Sequence, residues 1–272
     1  MTEAHKISNL NKPLFYYRKH AVSITQNSDK ILKNRVAIFA HHAQRRIGDH
    51  KVAGVILLRE KSFQQFGDKE DVVYLIKQAK ETFKTSTSIR DIFIICDEAM
   101  ATLAQGVIAP PSDDCQIHIL ALLDEVNKNL KIDDVLAHLS SKDVFAPFDC
   151  LVSQSTTYPL SRPAYIDLAA YTALIHGFNI VETVIEDHDV VYRHNGTGLT
   201  EVSDPTERQE RLSLYVRKGG ITCYLKNTAH RKDYLGKGHV VIDRHASFFV
   251  GNMTDLAIAK IIQEQGTLHE KT

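Results

Sequence analysis

A helix that passes directly into a strand, between residues 161 and 198, constrains this chain more than any other feature of its sequence. Pro163 suits the first turn of that helix, and Gly177 suits its end. The apolar run 179–185 then predicts a strand, and the polar run 186–189 follows it without a gap. Ligands of open α/β sheets bind beyond the carboxyl ends of the strands, so this unit predicts both a fold class and a place for a site.

Strand-like and helix-like segments alternate along most of the chain, as in a parallel sheet built from successive strand and helix units. The run 52–58 is nearly all apolar, which predicts a strand that is covered on both faces. A cap at Asp113 or Asp114 predicts a helix that carries Ile119 and Leu123. The other predicted strands are 21–25, 35–40, 89–96 and 148–152, and the other predicted helices are 71–84, 97–105, 133–139 and 164–176.

The segment after Asp204 permits two predictions. A cap residue, a proline and an acid lie between Asp204 and Glu207, which favours a helix from Pro205 to about Lys218. The alternation in 212–217 and 221–226, joined by two glycines, is instead typical of a hairpin, and we favour the helix. The predicted elements that follow are strands at 239–242 and 246–250 and a helix at 254–265.

Together these elements predict an α/β fold with a Rossmann-like, mainly parallel sheet flanked by helices. Residues 1–204 are predicted to form the core. Residues 205–272 are predicted to form a small C-terminal lobe or lid of helix and strand that completes the same domain. A chain of 272 residues buries enough surface to need neither disulfides nor a metal ion for its core.

The charges of the chain balance, with 33 basic and 33 acidic residues. This balance argues against a protein that binds nucleic acid through bulk positive charge. Eight acidic residues and two basic ones lie between Glu182 and Glu210, whereas six basic residues and one acidic one lie between Arg217 and Lys237. The second segment is able to hold a phosphate, and the plainer interpretation is that the two segments neutralise each other on the surface.

Cysteine spacing and hydropathy point to a protein that stays in the cytoplasm. The four cysteines form no C-x-x-C pair and no zinc-like spacing, which is typical of reduced thiols. Residues 1–10 lack the long apolar run of a secretory signal, and no window of 18 residues is apolar enough to span a membrane. We therefore predict no transmembrane segment and leave peripheral membrane contact and the oligomeric state open.

Two further constellations contain residue types that carry chemistry. His41 and His42, with Asp49 and His50, have the types of metal ligands, but no helical His pair accompanies them, and we predict no metal site. Cys96 before a helix, with His239 opening a later strand, has the chain order of a papain-like cysteine hydrolase. Asp97 and Glu98 would raise the pKa of the Cys96 thiol, so a buried structural cysteine is the favoured interpretation.

The order of the segments resembles that of the compact bacterial sialyltransferases, which use CMP-sialic acid. Gln26-Asn27-Ser28 follows the first predicted strand, where that family has a nucleotide-binding turn. Ser155-Thr156-Thr157 precedes a helix, a glycine and a strand in the same order as in the family. Asp189 and Tyr192 then lead to the polar Asn195-Gly196. The resemblance implies a metal-independent glycosyltransferase that takes a nucleotide sugar as donor and a glycan as acceptor, with no cofactor.

The same resemblance implies roles for particular residues. The donor nucleotide would be held by Asn27, Ser28 and His42, and its phosphate or the sugar carboxylate by Ser155, Thr156 and Thr157. The catalytic residues would be Tyr192, which donates to the departing phosphate oxygen, Asp189 beside it, and His245 or His239, which takes the proton of the acceptor hydroxyl. The basic stretch from Arg217 to Lys237 would form part of a lid.

A function without catalysis remains open from the sequence. Balanced charge and scattered histidines are also what a partner-binding α/β module would show. A pocket with polar groups at the carboxyl ends of the strands would argue for a ligand site.

Overall fold

The computed structural model describes residues 28–66, 68–107, 115–121, 131–187, 192–194, 197–201, 214–226 and 237–269. Helices and strands alternate along these ranges. The helices are α1 (Ser28–Ile47), α2 (Lys69–Lys84), α3 (Glu98–Val107), α4 (Ile132–Ser140), α5 (Pro163–His176) and α6 (Met253–His269). The strands are β1 (Val52–Leu58), β2 (Ile89–Cys96), β3 (Gln116–Leu120), β4 (Cys150–Gln154), β5 (Ile180–Asp187), β6 (Tyr192–His194), β7 (Leu199–Glu201), β8 (Leu214–Leu225) and β9 (Gly238–Val241).

Seven of these strands form one mixed sheet in the order β3-β2-β1-β4-β8-β5-β9. Strands β1 to β4 are parallel to one another, and β5 is parallel to β9. Strand β8 is antiparallel to both of its neighbours, β4 and β5. From β1, the chain adds β2 and β3 on one side of the sheet and then returns to add β4 on the other side. The point between β1 and β4, where this direction reverses, is the topological switch point of the sheet.

Helices cover both faces of the sheet, and the side chains of β1 show why. Val52, Ile56 and Leu58 point to a large apolar core that includes residues of α1, α2, α5 and α6. Ala53 and Val55, which alternate with them, point to a second core with α4 on the opposite face. A strand that is buried on both faces has to be apolar throughout, as β1 is. The predicted Rossmann-like α/β fold is confirmed.

Several predicted elements are present at or near their predicted positions. The strands predicted at 52–58 and 89–96 are β1 and β2, and the predicted helix 164–176 is α5. Arg162 precedes Pro163 at the start of α5, and Gly177 ends it with a left-handed φ of 72°. The strand predicted at 179–185 follows as β5. These elements have strong local signals, namely a proline at the start, a glycine at the end and a long apolar run.

Four other predictions are wrong. Residues 35–40 lie inside α1, because Leu32, Val36, Phe39 and Ala43 repeat at helical spacing and pack into the core. Ile119 belongs to β3, where it pairs with β2, and not to a helix. No strand forms at 246–250: residues 246 and 247 end a turn in which the amide of Ser247 donates to the carbonyl of Asp243, and residues 248–250 have no regular structure. The predicted strand 21–25 lies outside the described residues, as does the whole of the segment 122–130.

The fourth error concerns the helix from Pro205 to Lys218. Residues 202–213 are outside the described ranges, but residues 214–218 belong to strand β8. The hairpin that we weighed against that helix is also absent, because β8 runs through Gly219 and Gly220 as one strand with a bulge. Position in the sheet decides the outcome, since β8 fills the gap between β4 and β5 and hydrogen-bonds to both.

None of the helices within the described ranges is both long and apolar enough to cross a membrane.

Candidate functional site

A cavity of about 390 Å³ lies at the switch point, beyond the carboxyl ends of β1 and β4. Leu57 and Arg59 reach it from the end of β1, and residues 153–155 reach it from the end of β4. Helix α4 contributes Ile132 and Val135, and β8 contributes several residues from its bulge. This volume lies within the range of small-molecule sites, and α/β sheets bind ligands at such switch points.

The bulge in β8 shapes one wall of the cavity. Register with β5 breaks between Glu182 and Val184, so that four residues of β8, numbers 218–221, lie opposite Thr183 alone. The fully buried Thr183 fills this gap. Its hydroxyl donates to the carbonyl of Lys218 at 2.6 Å and accepts from the amide of Ile221 at 3.2 Å. One side chain thus replaces the missing ladder bonds and holds the bulge in shape.

Two glycines allow the chain to make this bulge. Gly219 and Gly220 have φ angles of 83° and 64°, in the left-handed region that favours glycine. A Cβ on Gly220 would lie 2.5 Å from Cδ2 of Tyr158 and 2.8 Å from Cβ of Ser155. The bulge is therefore packed tightly against the turn 155–158, and the amide of Ser155 donates to the carbonyl of Gly220 at 2.9 Å.

Three cationic side chains line the cavity: Arg59, Arg217 and Lys218. The guanidinium of Arg217 lies 2.9 Å from a carboxylate oxygen of Glu182 and donates to the hydroxyl of Thr222 at 3.0 Å. Among the described residues of the lining, none carries a carboxylate. A lining that has three positive groups and no carboxylate of its own favours a ligand with negative charge, such as a phosphate.

The ion pair of Arg217 belongs to a longer row of charges. Glu182 also accepts from Lys237 at 3.3 Å, and Lys237 donates to Asp133 on α4 at 2.7 Å. The Asp133 carboxylate raises the pKa of Lys237 most, and Glu182 adds to this effect against the cost of partial burial. For these residues, the predicted mutual neutralisation of the acidic and basic segments is confirmed. The row also links α4 to β5 and β8 around the cavity.

Gln154, at the end of β4, is the most unusual residue of the lining. It is only 2% exposed, and neither its Oε1 nor its Nε2 has a hydrogen-bond partner among the described residues. Burying an amide without partners costs about 1–3 kcal/mol. Side chains alternate along β4, so Gln154 shares a face with Cys150 and Val152, whereas Leu151 packs on the other face against α4. Both amide atoms of Gln154 are inaccessible to solvent, so the cavity does not reach them.

No protein-family model matches the sequence, and no curated protein matches it either. Solved structures do match its fold. The 4-diphosphocytidyl-2C-methyl-D-erythritol synthase of Anaerococcus prevotii is 9% identical, with a TM-score of 0.54 over 79% of this chain and 96% of that one. A CMP:2-keto-3-deoxy-manno-octonic acid synthetase, solved in complex with CTP, is 11% identical, with a TM-score of 0.50 over 79% of this chain and 99% of that one.

These matches correct the resemblance drawn from the sequence. The two solved structures named above are a synthase and a synthetase whose names refer to cytidine nucleotides, and not sialyltransferases. The error arose because the order of segments alone was compared, and α/β folds of several families share that order. At 9% and 11% identity, the similarity establishes the fold of this chain and leaves its activity to be argued from the site.

The structure brings part of the predicted Ser/Thr turn to the cavity. Ser155 lines it, and the hydroxyls of Ser155 and Thr157 lie 2.7 Å apart. Thr156 is buried beside them. The carbonyl of Thr157 accepts from the amide of Val250, which ties the turn to the segment before α6. The turn is therefore fixed on both sides, by Gly220 and by Val250.

The other predicted site residues lie elsewhere or are not described. His239 is on β9, with its ring 4.9 Å from that of Tyr215, and His245 is exposed in the turn after β9. His42 lies on α1 next to His41, and Ser28 is the first residue of that helix. Asn27 and Asp189 fall outside the described residues, and Tyr192 is described only as part of β6. The roles predicted for these residues stay predictions.

The alternative of a cysteine hydrolase is not supported by the geometry. Cys96 is fully buried at the end of β2. Four strands lie between β2 and β9, which carries His239. At about 4.8 Å per strand the two residues are roughly 24 Å apart, too far for an imidazole to ionise a thiol. Cys96 is a core residue, as the favoured interpretation had it.

Sequence reasoning missed Arg59, Gln154 and Lys218 as residues of one site. Arg59 directly follows the apolar run 52–58, and residues 186–189 likewise are polar residues just past a predicted strand. Gln154 carried the same signal at the end of β4. Lys218 could not be found in this way, because its place depends on a bulge that forms only when β8 pairs with β5.

Proposed function

We propose that this chain is a nucleotide-sugar-dependent glycosyltransferase that binds its donor in the cavity between β1, β4 and β8. The observation that carries the proposal is the composition of the cavity wall. Arg59, Arg217 and Lys218 line it, together with the polar turn at Ser155, and none of the described lining residues is acidic. The overall fold, which is similar to that of a synthetase solved with CTP, supports a nucleotide as the ligand.

The cations would act on the leaving group. In glycosyl transfer, an acceptor hydroxyl oxygen bonds to the anomeric carbon while the bond from that carbon to a donor phosphate oxygen breaks. The electron pair stays on the phosphate, and the negative charge that develops there has to be stabilised. Arginine and lysine side chains are suited to this task, since guanidinium groups bind phosphate oxygens in pairs and ammonium groups act as point charges.

The acceptor proton needs a base as well. No histidine or carboxylate occurs among the described residues of the lining. From the sequence we predicted His245 or His239 for this role. His239 lies on strand β9, and His245 follows that strand. Either the acceptor bridges the distance to one of them or the departing phosphate takes the proton itself.

The side chains around the cavity bear on whether a divalent cation helps to hold the phosphates. Divalent cations such as Mg²⁺ are bound in proteins through carboxylate oxygens, usually together with substrate phosphates. Within the described ranges no group of three or more His, Cys, Asp or Glu side chains converges as a metal site would require. The described lining residues, which include no carboxylate, do not fit such an ion.

The first test is binding. Isothermal titration of the purified chain with CDP, UDP and inorganic pyrophosphate, each in buffer with EDTA, should show binding of at least one nucleotide without a divalent cation. Lys218→Met should weaken that binding about tenfold or more, as expected for a lost charge-assisted contact of 1.5–3 kcal/mol. Lys33→Met, an exposed lysine on α1, is the matched control and should leave it unchanged.

The comparisons favour a second candidate, nucleotidyl transfer from a nucleoside triphosphate, because both similar structures bear names of cytidine-nucleotide synthases. The two functions release different products. A glycosyltransferase releases a nucleotide from a nucleotide sugar, whereas a nucleotidyltransferase releases pyrophosphate from CTP or UTP. Pyrophosphate release with a panel of sugars, and no nucleotide release from nucleotide sugars, would replace the first proposal with the second.

A further inference from the structure

Lys237 and Arg217 share one carboxylate oxygen, which places the charge of Lys237 close to the cavity although Lys237 does not line it. The ammonium of Lys237 lies 3.3 Å from Oε1 of Glu182, and the guanidinium of Arg217 lies 2.9 Å from the same oxygen. Of these three residues, Arg217 is the one that lines the cavity. The two cations are closer together than a Debye length, which is about 10 Å at 0.1 M salt, so each feels the charge of the other.

Glu182 both orients Arg217 and opposes its charge. The side chain of Glu182 is only 12% exposed, and Arg217 also donates to the hydroxyl of Thr222 at 3.0 Å. These two contacts fix the direction of the guanidinium. A carboxylate that served Arg217 alone would cancel much of the positive charge with which the guanidinium attracts a phosphate. Because Lys237 brings a second positive charge to the same oxygen, more of the Arg217 charge stays available to a ligand.

Asp133 on α4 acts against this effect. Lys237 donates to Asp133 at 2.7 Å, a shorter contact than the 3.3 Å to Glu182. The bond to Asp133 raises the pKa of Lys237 most, so Lys237 is charged at neutral pH, and the same bond draws the ammonium away from Glu182. The four side chains carry two positive and two negative charges. Loss of the Lys237 charge therefore leaves an excess of negative charge beside Arg217, and loss of the Asp133 charge leaves an excess of positive charge.

We infer that Lys237 is a positioning residue of the phosphate site, and that it acts by sharing Glu182 with Arg217. This inference rests on the proposed function, because it concerns how strongly the same cavity attracts the phosphates of the donor. Lys237 strengthens phosphate binding without touching the ligand, and Asp133 weakens it. A purely structural ion pair would act differently, since loss of either partner would loosen α4 and weaken binding in both cases.

The test removes the two charges separately. Affinities for CDP, UDP and inorganic pyrophosphate are measured by isothermal titration in low salt with EDTA, for the wild type, Lys237→Met and Asp133→Asn. For the ligands that the wild type binds, we expect Lys237→Met to bind about threefold or more weakly and Asp133→Asn to bind about twofold or more tightly, as residues of one ion-pair network are coupled. At about 1 M KCl, where the Debye length is about 3 Å, both differences should shrink toward zero.

A second ion pair of the same kind supplies the matched control. Lys260 donates to Asp71 at 2.7 Å, the same distance as between Lys237 and Asp133, and both carboxylates lie in the first turn of a helix. The two lysine side chains are exposed to similar extents, 40% and 51%. Lys260→Met and Asp71→Asn should lower the free energy of unfolding about as much as the test variants do, and they should leave the affinities unchanged.

The possible outcomes separate this inference from the proposed function. If Lys237→Met and Asp133→Asn change the affinities in the same direction, or if either leaves them unchanged, the role of Lys237 is wrong while the phosphate site stands. Lys237→Arg keeps the charge and should bind within about twofold of the wild type. Should Lys237→Met fail to fold, Asp133→Asn decides, because tighter binding after the loss of an ion pair fits only the electrostatic role. If the wild type binds none of the three ligands, the proposed function fails and this inference fails with it.

Discussion

The hydroxyl of Thr183 on β5 donates to the carbonyl of Lys218 on β8 at 2.6 Å and accepts from the amide of Ile221 at 3.2 Å. Two residues of β8 thus depend on one fully buried threonine for hydrogen bonds that a regular ladder would supply. Because Lys218 and Gly220 also line the cavity, the same threonine sets the shape of the proposed phosphate site. Fold and site are coupled at this position.

Replacing Thr183 by valine tests this coupling. Thr183→Val keeps the volume but leaves the Lys218 carbonyl and the Ile221 amide without their partner, which should lower the free energy of unfolding by about 1–3 kcal/mol. It should also weaken nucleotide binding, since Lys218 loses its fixed place. Thr82→Val is the control, because its hydroxyl donates within helix α2, away from the cavity. Denaturant unfolding and titration with CDP measure the two effects, and unchanged binding in Thr183→Val would contradict the coupling.

A methyl group at Gly220 should displace the turn that lines the cavity. Gly220→Ala forces alanine into a φ of 64° and places its Cβ 2.5 Å from the ring of Tyr158. We expect a loss of stability of more than about 1 kcal/mol from the backbone conformation alone, with more from the displaced turn. Gly106→Ala, in an exposed and open position on α3, should be neutral or stabilising by up to about 1 kcal/mol. Equal melting temperatures for the two variants would show that the turn adjusts without cost.

How far the sequence predicts this molecule depends on how local each signal is. The helix α5 between Pro163 and Gly177 and the strand β1 are defined by their own residues, and both were predicted correctly. Residues 214–218 have a pattern that fits a helix or a strand, and only the gap between β4 and β5 decides it. Pairing partners are distant in sequence, so a reading of short windows cannot supply them.

The candidate site also combines residues with a local sequence signal and residues that only the pairing of strands brings together. Ser155 was found from the polar turn after a predicted strand, which is local information. Lys218 and Arg59 come together only because β8 enters the sheet one strand away from β1. No spacing in the sequence indicates that these two residues lie close together in the fold. For this reason the histidines, which stand out by their type, were chosen in place of the basic residues that line the cavity.

Asp167 on α5 should prove a major anchor of the fold. Its carboxylate is 2% exposed and accepts five hydrogen bonds from the turn before β2, donated by the side chain of Ser86 and by both the backbone amides and the hydroxyls of Thr87 and Ser88. Asp167→Asn replaces one accepting oxygen by a donor, which faces other donors, and should cost about 2 kcal/mol or more. Asp49→Asn, at an exposed position, should cost little. Urea unfolding of both variants checks the difference, and a cost below that of Asp49→Asn would contradict the role.

The hydrogen bond between Tyr165 and Asp243 predicts how stability changes in alkaline solution. Burial, together with the bond that its hydroxyl donates to Asp243 at 2.7 Å, raises the pKa of Tyr165 to about 12, from an ordinary value of 10.0. Because the pKa is raised on folding, the stabilisation is complete below pH 10 and is lost as the pH rises toward 12. A difference of about 2 in pKa corresponds to at most roughly 2.7 kcal/mol.

Tyr165→Phe removes both the hydrogen bond and its titration. The variant should be less stable than the wild type at pH 8 by about 1 kcal/mol, the usual net value of such a bond. Between pH 10 and pH 12 the gap should close, since only the wild type loses the contribution of this hydroxyl. Guanidinium unfolding at a series of pH values measures the gap directly. The other tyrosines titrate in both proteins and cancel in the difference, so a gap of constant size would mean that Tyr165 has the same pKa in the folded and unfolded chain.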